Sequence, residues 1–397
     1  MRRHPAVFLL SSFVFLVGST AAAQEADNAM LKIGPLSIQP TLLIQNIGRD
    51  RNVFNDPDHP KSDFTMTVSP KADVTFHARS LKMTLAQTTD YVYFKQYTDQ
   101  RGTNQYNTFR ADVTLGALQP FAGVNVSNTR GRLNNEIDAR ARHTSVSYFA
   151  GAKLNLFSHT SVGAAVRQSR LKFADGTEFR GESLTRAFNG HDRGIDANIG
   201  FALTPLTSLM LVVSKEEQRF DGAPERNADS IRVAPTLSFS PLGLINGTAA
   251  FGYRRYTARD PRTPDYSGFV AQVTTAMRLY DRHRVEVTIL RDLTYSYERA
   301  ATYYIGNSYS VAWTYAFIGP MDMRLSASRN LMRYHATADA PTGGDDNYSA
   351  YTAGLGYRIA RHIRAAVNGD WQRRRSVRAA NRQFDNNRVY GSLTWGG

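Results

Sequence analysis

In the stretch SDFTMTVSPKADVTF, residues 62–76, Asp63, Lys71 and Asp73 share one parity, while Phe64, Met66, Val68, Val74 and Phe76 share the other. Extended backbone turns successive side chains to opposite faces, so this spacing sets fixed charges on one face and an apolar surface on the other. Charges aligned along a face attract or repel mobile ions and so decide what passes beside them. Carried along the chain, the same alternation assigns Lys71, Arg110, Lys153, Arg167, Arg232, Arg254, Arg278, Arg324, Arg358 and Arg388 to polar faces, with Lys82 and Arg364. Asp63, Asp73, Asp112, Asp196, Glu286 and Asp370 share those faces. The cations outnumber the anions, an arrangement that guides anionic cargo. In the competing reading the arginines and acids pair between neighbouring segments and brace a wall.

Other chemistry has little support. His283 with Glu286 and His143 with Ser145 are the neighbours suited to acid–base or nucleophilic work, and the HExxH spacing is absent. Asp56-Pro57-Asp58-His59 and Asp345-Asp346-Asn347 gather oxygens at loop tips, yet a calcium loop needs more of them at fixed spacing. No catalytic site, metal or cofactor is therefore expected. Tyr390 and Phe149, set among the cations, could stack on sugar rings, but isolated aromatics of this kind more often pack. With no cysteine, a disulfide, a thiolate metal site and a lipoprotein anchor are all excluded. A net charge of +14 admits acidic polysaccharide, lipid head groups or small anions as partners; export to the envelope argues against nucleic acid.

The elements that must carry these charges are strands. Leu36-Ile38-Pro40-Leu42-Ile44, Phe109-Ala111-Val113-Leu115, Ile195-Ala197-Ile199-Phe201-Leu203, Ile231-Val233-Pro235-Leu237-Phe239 and Val389-Gly391-Leu393-Trp395 all keep a period of two. Short connections such as Gly116-Ala117-Leu118 and Tyr280-Asp281-Arg282 alternate with long charged ones such as Thr129–Ala141 and Asp175–Arg193. That rhythm belongs to outer-membrane barrels, whose tight turns face the periplasm and whose long loops face outward. The expectation is an all-β fold: a transmembrane antiparallel up-and-down β-barrel of about 18 strands around an aqueous lumen. A soluble β-sandwich would split so many strands into domains, and no linker divides the chain. Aromatics near predicted strand ends suit interfacial girdles: Tyr91, Tyr93, Phe94, Tyr253, Tyr256, Tyr295, Tyr297, Tyr303 and Tyr304 at one end, and Phe157, Phe239, Phe317 and Trp395 at the other. Pro40, Pro70 and Pro235 resist this reading, since proline removes a ladder hydrogen bond inside a strand; bulges near the strand ends would accommodate them. Asp175–Arg193 is the expected fold-in constriction.

Arg2 and Arg3, an apolar run from Ala6 to Val17, and Ala21-Ala22-Ala23 form a cleaved signal peptide over 1–23, leaving 24–397 as one barrel domain. The run is too short for a membrane-spanning helix, and no later stretch is long enough either. Asn52-Val53-Phe54, Ser62-Asp63-Phe64 and Val68-Ser69-Pro70 together resemble the first-hairpin pattern of the family called putative β-barrel porin 2. Tyr390, Gly391, Leu393 and Trp395 look like a C-terminal signal for barrel insertion, although Gly396 and Gly397 follow the aromatic. The resemblance implies a porin of the bacterial cell outer membrane, one often associated with exopolysaccharide operons. It also implies contact with outer-membrane lipid and lipopolysaccharide, with the barrel-insertion machinery, and with a periplasmic polysaccharide-export protein that delivers cargo. The expected function is passive conduction biased to anionic cargo, as an exopolysaccharide exit pore. A general small-solute porin and a structural or adhesive barrel with a blocked lumen are the alternatives.

Overall fold

The computed structural model describes residues 31–240, 243–337, 344–377 and 380–396, so the expected signal segment lies outside the described residues. After a short strand, β1 (Leu31–Ile33), come β2 (Leu36–Asp50), β3 (Asp63–Ala78), β4 (Leu81–Phe94), β5 (Gly102–Val113), β6 (Leu118–Gly131), β7 (Ala141–Asn155) and β8 (Thr160–Phe173). A small hairpin, β9 (Glu178–Phe179) with β10 (Glu182–Ser183), and a five-residue helix, α1 (Leu184–Phe188), fill the next loop. Then follow β11 (Gly190–Thr204), β12 (Thr207–Phe220), β13 (Ala228–Phe239), β14 (Ile245–Ala258), β15 (Tyr266–Leu279) and β16 (His283–Tyr295). The last are β17 (Tyr303–Ala316), β18 (Met321–His335), β19 (Asp345–Ala360), β20 (Ile363–Ser376) and β21 (Phe384–Trp395). Apart from β1, β9 and β10, these make a closed antiparallel barrel of eighteen strands, as the alternation implies. Closure comes from β2, which pairs with both β3 and β21. Closure gives each wall strand a partner on both sides, although β15 and β16 part at their extracellular ends.

Parity works as the opening stretch predicts. Along β11, Asp192, Gly194, Asp196 and Asn198 face inward, while Arg193, Ile195, Ala197 and Ile199 are exposed on the outer wall. Val166, Ile195, Leu211, Val233, Phe251, Phe269 and Val389 continue an outward apolar belt that only hydrocarbon can cover. Tight turns take the backbone of left-handed residues, with Gly116 at φ 60° and the pair Tyr280 and Asp281 at φ 51° and 54°.

The prolines sit at interruptions rather than bulges. Pairing of β3 with β4 stops after Val68↔Tyr91 and resumes at Lys71↔Thr88, across Pro70. Pairing of β13 with β14 skips from Val233↔Tyr253 to Thr236↔Ala250, across Pro235. Pro40 lies below the point where β2 begins to pair with β21, at Leu42. Each proline thus directs its missing N–H to a site without a ladder.

The wall also parts between β15 and β16. Their pairing runs only from Leu279↔His283 to Ala271↔Arg291. Beyond it, the tips of β16, β17 and β18 stay paired with one another but swing inside the barrel. Their outer face, Leu293, Tyr303 and Ile305, packs on the lumenal face of the neighbouring strands at Ala228 and Tyr256. The Tyr256 and Tyr303 rings lie 5.2 Å apart, and Tyr303 Oη donates to Pro264 O at 3.0 Å. Arg291 spans the split, donating to Phe269 O at 3.0 Å and Asn307 Oδ1 at 2.5 Å. This inward tongue corrects the girdle expectation. Tyr256, Tyr297, Tyr303, Tyr304 and Phe94 are buried inside, whereas Tyr91, Tyr253, Phe157, Phe317 and Trp395 are exposed.

Candidate functional site

The path through the barrel is built from inward-facing side chains of every strand, and it divides into two halves. In the middle and extracellular part, charges are sequestered. Arg254 on β14 donates to Glu216 Oε2 at 3.0 Å, Asp292 Oδ1 at 2.9 Å and Ser230 Oγ at 3.0 Å, and is only 1% exposed. Arg232 reaches the same two carboxylates at 3.5 and 3.4 Å. Arg167 joins Glu216 and lies 3.4 Å from Asp196. Three guanidiniums and three carboxylates from β8 to β16 thus form one dry network in which Glu216 serves all three arginines. Arg388 pairs with Asp370, which also accepts from Tyr390 Oη at 3.2 Å. For these positions the geometry is that of a braced wall.

In the periplasmic half the balance differs. Lys71 pairs with Asp73 at 2.5 Å, Arg110 with Asp112 at 2.6 Å, Arg324 with Glu286 at 2.5 Å, and Arg364 Nε with Asp322 at 2.7 Å. Arg284 shares Glu286 at 2.9 Å. Lys82, Lys153, Arg278 and Arg358 also face the lumen here and form no ion pair among the described residues. Cations therefore exceed acids around the periplasmic mouth. Glycines make room for the guanidiniums: a Cβ at Gly194 would lie 2.6 Å from Arg167 Nε, and one at Gly356 would meet the Arg364 guanidinium.

The extracellular mouth is filled. Segment 132–140 enters the barrel, and Leu133 and Ile137 pack with Phe173, Phe179, Leu184, Phe188 and Tyr297. At its tip Glu136 accepts from Ser296 Oγ at 2.6 Å, while Arg374 donates to the carbonyls of Asn135 and Glu136 at 3.0 and 3.2 Å. Burial raises the Glu136 carboxyl above its ordinary value, opposed by Ser296, Arg382 and Arg374. Arg132 ties the segment to Val53 O at 3.1 Å. The expected constriction, Asp175–Arg193, contributes its hairpin, α1 and an Arg180–Asn381 contact across the mouth at 2.8 Å. The segment at the centre is nevertheless 132–140. Its leucine and isoleucine four residues apart inside a charged loop are the sequence signal that marks it. Asn134 Oδ1 accepting from the Glu136 and Ile137 amides gives the local turn that presents them inward.

The remaining candidates have structural partners. Phe149 is buried, with the Arg110 guanidinium 5.9 Å from its ring centre, so it offers no open face to a sugar. His283 and Glu286 stand on opposite faces of β16, and His283 Nδ1 accepts from Trp313 Nε1 at 3.2 Å. His143 is buried, 3.1 Å from Thr129 Oγ1. Asp56 Oδ1 accepts from the Asp58 and His59 amides at 3.0 Å, and Asp346 holds Arg374 at 2.6 Å. Asp63, grouped with the lumen acids by parity, is buried at the strand end and accepts from the Gln96 and Tyr97 amides. Gly391, Leu393 and Trp395 lie on the outward face of β21, and Tyr390 points inward. Parity alone does not reveal Glu216, because β12 begins with apolar residues on both faces, Leu209 to Val213.

Comparison with known proteins agrees with this architecture. The family described as Putative beta-barrel porin 2 matches residues 28–395. A BenF-like porin from Pseudomonas fluorescens Pf-5 shares 14% identity over 91% of this chain and 99% of its own, at a TM-score of 0.50. OccK2 (OpdF) from Pseudomonas aeruginosa shares 15% identity over 90% and 98%, also at 0.50. At such identities the likeness is one of fold. No curated protein matches the chain in sequence.

Proposed function

Because the chain belongs to the outer-membrane barrel family described as Putative beta-barrel porin 2, we propose that it is an outer-membrane channel through which anionic cargo moves passively, entering from the periplasm. The observation that carries this reading is the polarity of the lumen. The central network of Arg167, Arg232 and Arg254 with Asp196, Glu216 and Asp292 is balanced and dry, whereas the basic side chains Lys82, Lys153, Arg278 and Arg358 stand without acidic partners, among the described residues, around the periplasmic entrance. Fixed charge of one sign at a mouth concentrates ions of the other and sets selectivity. An acidic exopolysaccharide is the cargo we favour, handed over by a periplasmic partner, since the entrance rather than the outer mouth is basic. In planar bilayers with a salt gradient, the reversal potential is expected to report anion preference; a cation preference overturns the reading. Loss of surface polysaccharide on deleting the protein supports export, while normal polysaccharide with slowed uptake of small anions points to a general porin.

The filled extracellular mouth favours a second reading, a barrel whose lumen is blocked. It predicts a silent bilayer both for the intact protein and for a variant lacking residues 133–138. Conduction that appears on deletion identifies a closed channel instead.

A further inference from the structure

The outer wall carries a patch that conduction does not use. Near the extracellular ends of β8, β11, β12 and β14, the outward positions are basic: Arg170, Lys172, Arg193, Lys215 and Arg255, all exposed. Acids share this face: Asp221 and Asp229 are engaged, and Glu217, opposite Arg193 in the ladder, makes a looser contact. Asp221 lies 3.5 Å from Arg170, Glu217 3.6 Å from Arg219, and Asp229 2.7 and 2.9 Å from Arg219 and Arg259. Lys172, Arg193, Lys215 and Arg255 form no ion pair among the described residues.

Their depth is specific. Lys215 is paired across the ladder with Ile195, and Arg255 with Ile231. The next outward residues toward the periplasm are Val213 and Tyr253, and Tyr253 stands opposite Phe269. The Phe251 and Phe269 rings stack at 6.4 Å. Basic groups thus sit directly above a lipid-facing apolar and aromatic surface. At the periplasmic ends of the same strands the outward residues are Phe201, Leu203 and Leu211, without such a basic row. Lys215 and Arg255 lie two strands apart, roughly 10 Å, within reach of one bulky headgroup.

We propose that this patch binds the phosphorylated headgroup of lipopolysaccharide in the outer leaflet, with Arg193, Lys215 and Arg255 holding phosphate and the Tyr253–Phe269 surface holding acyl chains. A one-sided basic row above an apolar belt complements an anionic, acylated molecule present in one leaflet only. Arginine and lysine are the side chains suited to phosphate oxygens.

The test uses the full barrel refolded in detergent and titrated with bisphosphorylated lipid A, with bound lipid counted by native mass spectrometry. Each basic group near an anionic lipid is worth roughly fivefold in affinity, so the variant R193Q/K215Q/R255Q is expected to bind about a hundredfold more weakly. Dephosphorylated lipid A is expected to bind the unaltered barrel as weakly as that. Equal binding by the variant, or equal binding of the dephosphorylated lipid, overturns the proposal. So does displacement of lipid A by inorganic phosphate at matched concentration, which would mark a plain anion site. If the triple variant does not refold, Lys215→Gln alone is expected to lose about fivefold, and no loss overturns the proposal as well.

Discussion

Replacing Glu216 by glutamine separates bracing from permeation. The carboxylate is 3% exposed and is shared by Arg254, Arg232 and Arg167, with Asp292 and Asp196 as the other counter-charges. Glutamine keeps the shape and one acceptor oxygen but leaves three guanidiniums facing two acids. Because Arg254 and Arg232 are 1% and 2% exposed, water cannot screen the excess charge. Breaking a buried ion network by removing one partner costs about 3–5 kcal/mol. Glu217, one residue on, faces outward and makes only a 3.6 Å contact with Arg219, so Glu217→Gln is expected to cost less than about 1 kcal/mol. Urea unfolding of the refolded barrel in lipid vesicles, followed by tryptophan fluorescence, reads the difference. Anion selectivity is expected to stay unchanged in Glu216→Gln, because the network is dry. Equal unfolding midpoints for the two variants, or a large change in selectivity for Glu216→Gln, would refute this account of the wall.

Neutralising Lys153, Arg278 and Arg358 together with glutamine is expected to cut the anion-to-cation permeability ratio severalfold, read as a reversal potential, while Arg232→Gln with Arg254→Gln lowers stability instead. The pH response follows from Glu136, whose carboxyl is raised by burial in the closed mouth. The closed form holds its proton more tightly than an open one, so closure is favoured at low pH and weakens as pH rises above the ordinary 4.5. Single-channel open probability is expected to increase over that range, and Glu136→Gln to weaken the dependence, the remainder coming from Asp138, whose carboxyl burial also raises. Valine at Gly123 would place Cβ 2.6 Å from Phe109 O and against the Phe149 ring. A loss of about 1–3 kcal/mol is expected in the same urea assay.

Strand number, closure and facing were readable because a barrel wall imposes one rule on every residue, and Asp63 to Phe76 obeys it without exception. The resemblance carried by Asn52, Asp63 and Pro70 also pointed to the right family; Asn52 and Asp63 turn out to shape one strand end and its loop, and Pro70 marks an interruption within β3. Asn52 accepts from the Asp56 amide at 2.9 Å, and Asp63 caps the turn at Gln96. What periodicity could not carry was contact between distant segments. Glu136 and Ser296 lie 160 residues apart, and nothing local distinguishes a loop that enters the mouth from one that stays in solvent. Tyr295 and Tyr303 have girdle-like positions in sequence, yet the ladder to β15 ends below them and both rings pack on Tyr256. Parity told which way each cation points, but not whether an acid stands beside it.

The parting of β15 from β16 has a mechanical consequence. A fully laced hoop has a circumference set by its strand number, so it widens only if hydrogen bonds stretch or break. Here the hoop is already unlaced above Ala271 and Arg291, and the three strand tips lie inside like the leaf of an iris. Swinging that leaf back toward Tyr266–Val270 would form new backbone pairs while enlarging the bore, and those pairs would offset the Leu293, Tyr303 and Ile305 packing that dilation gives up.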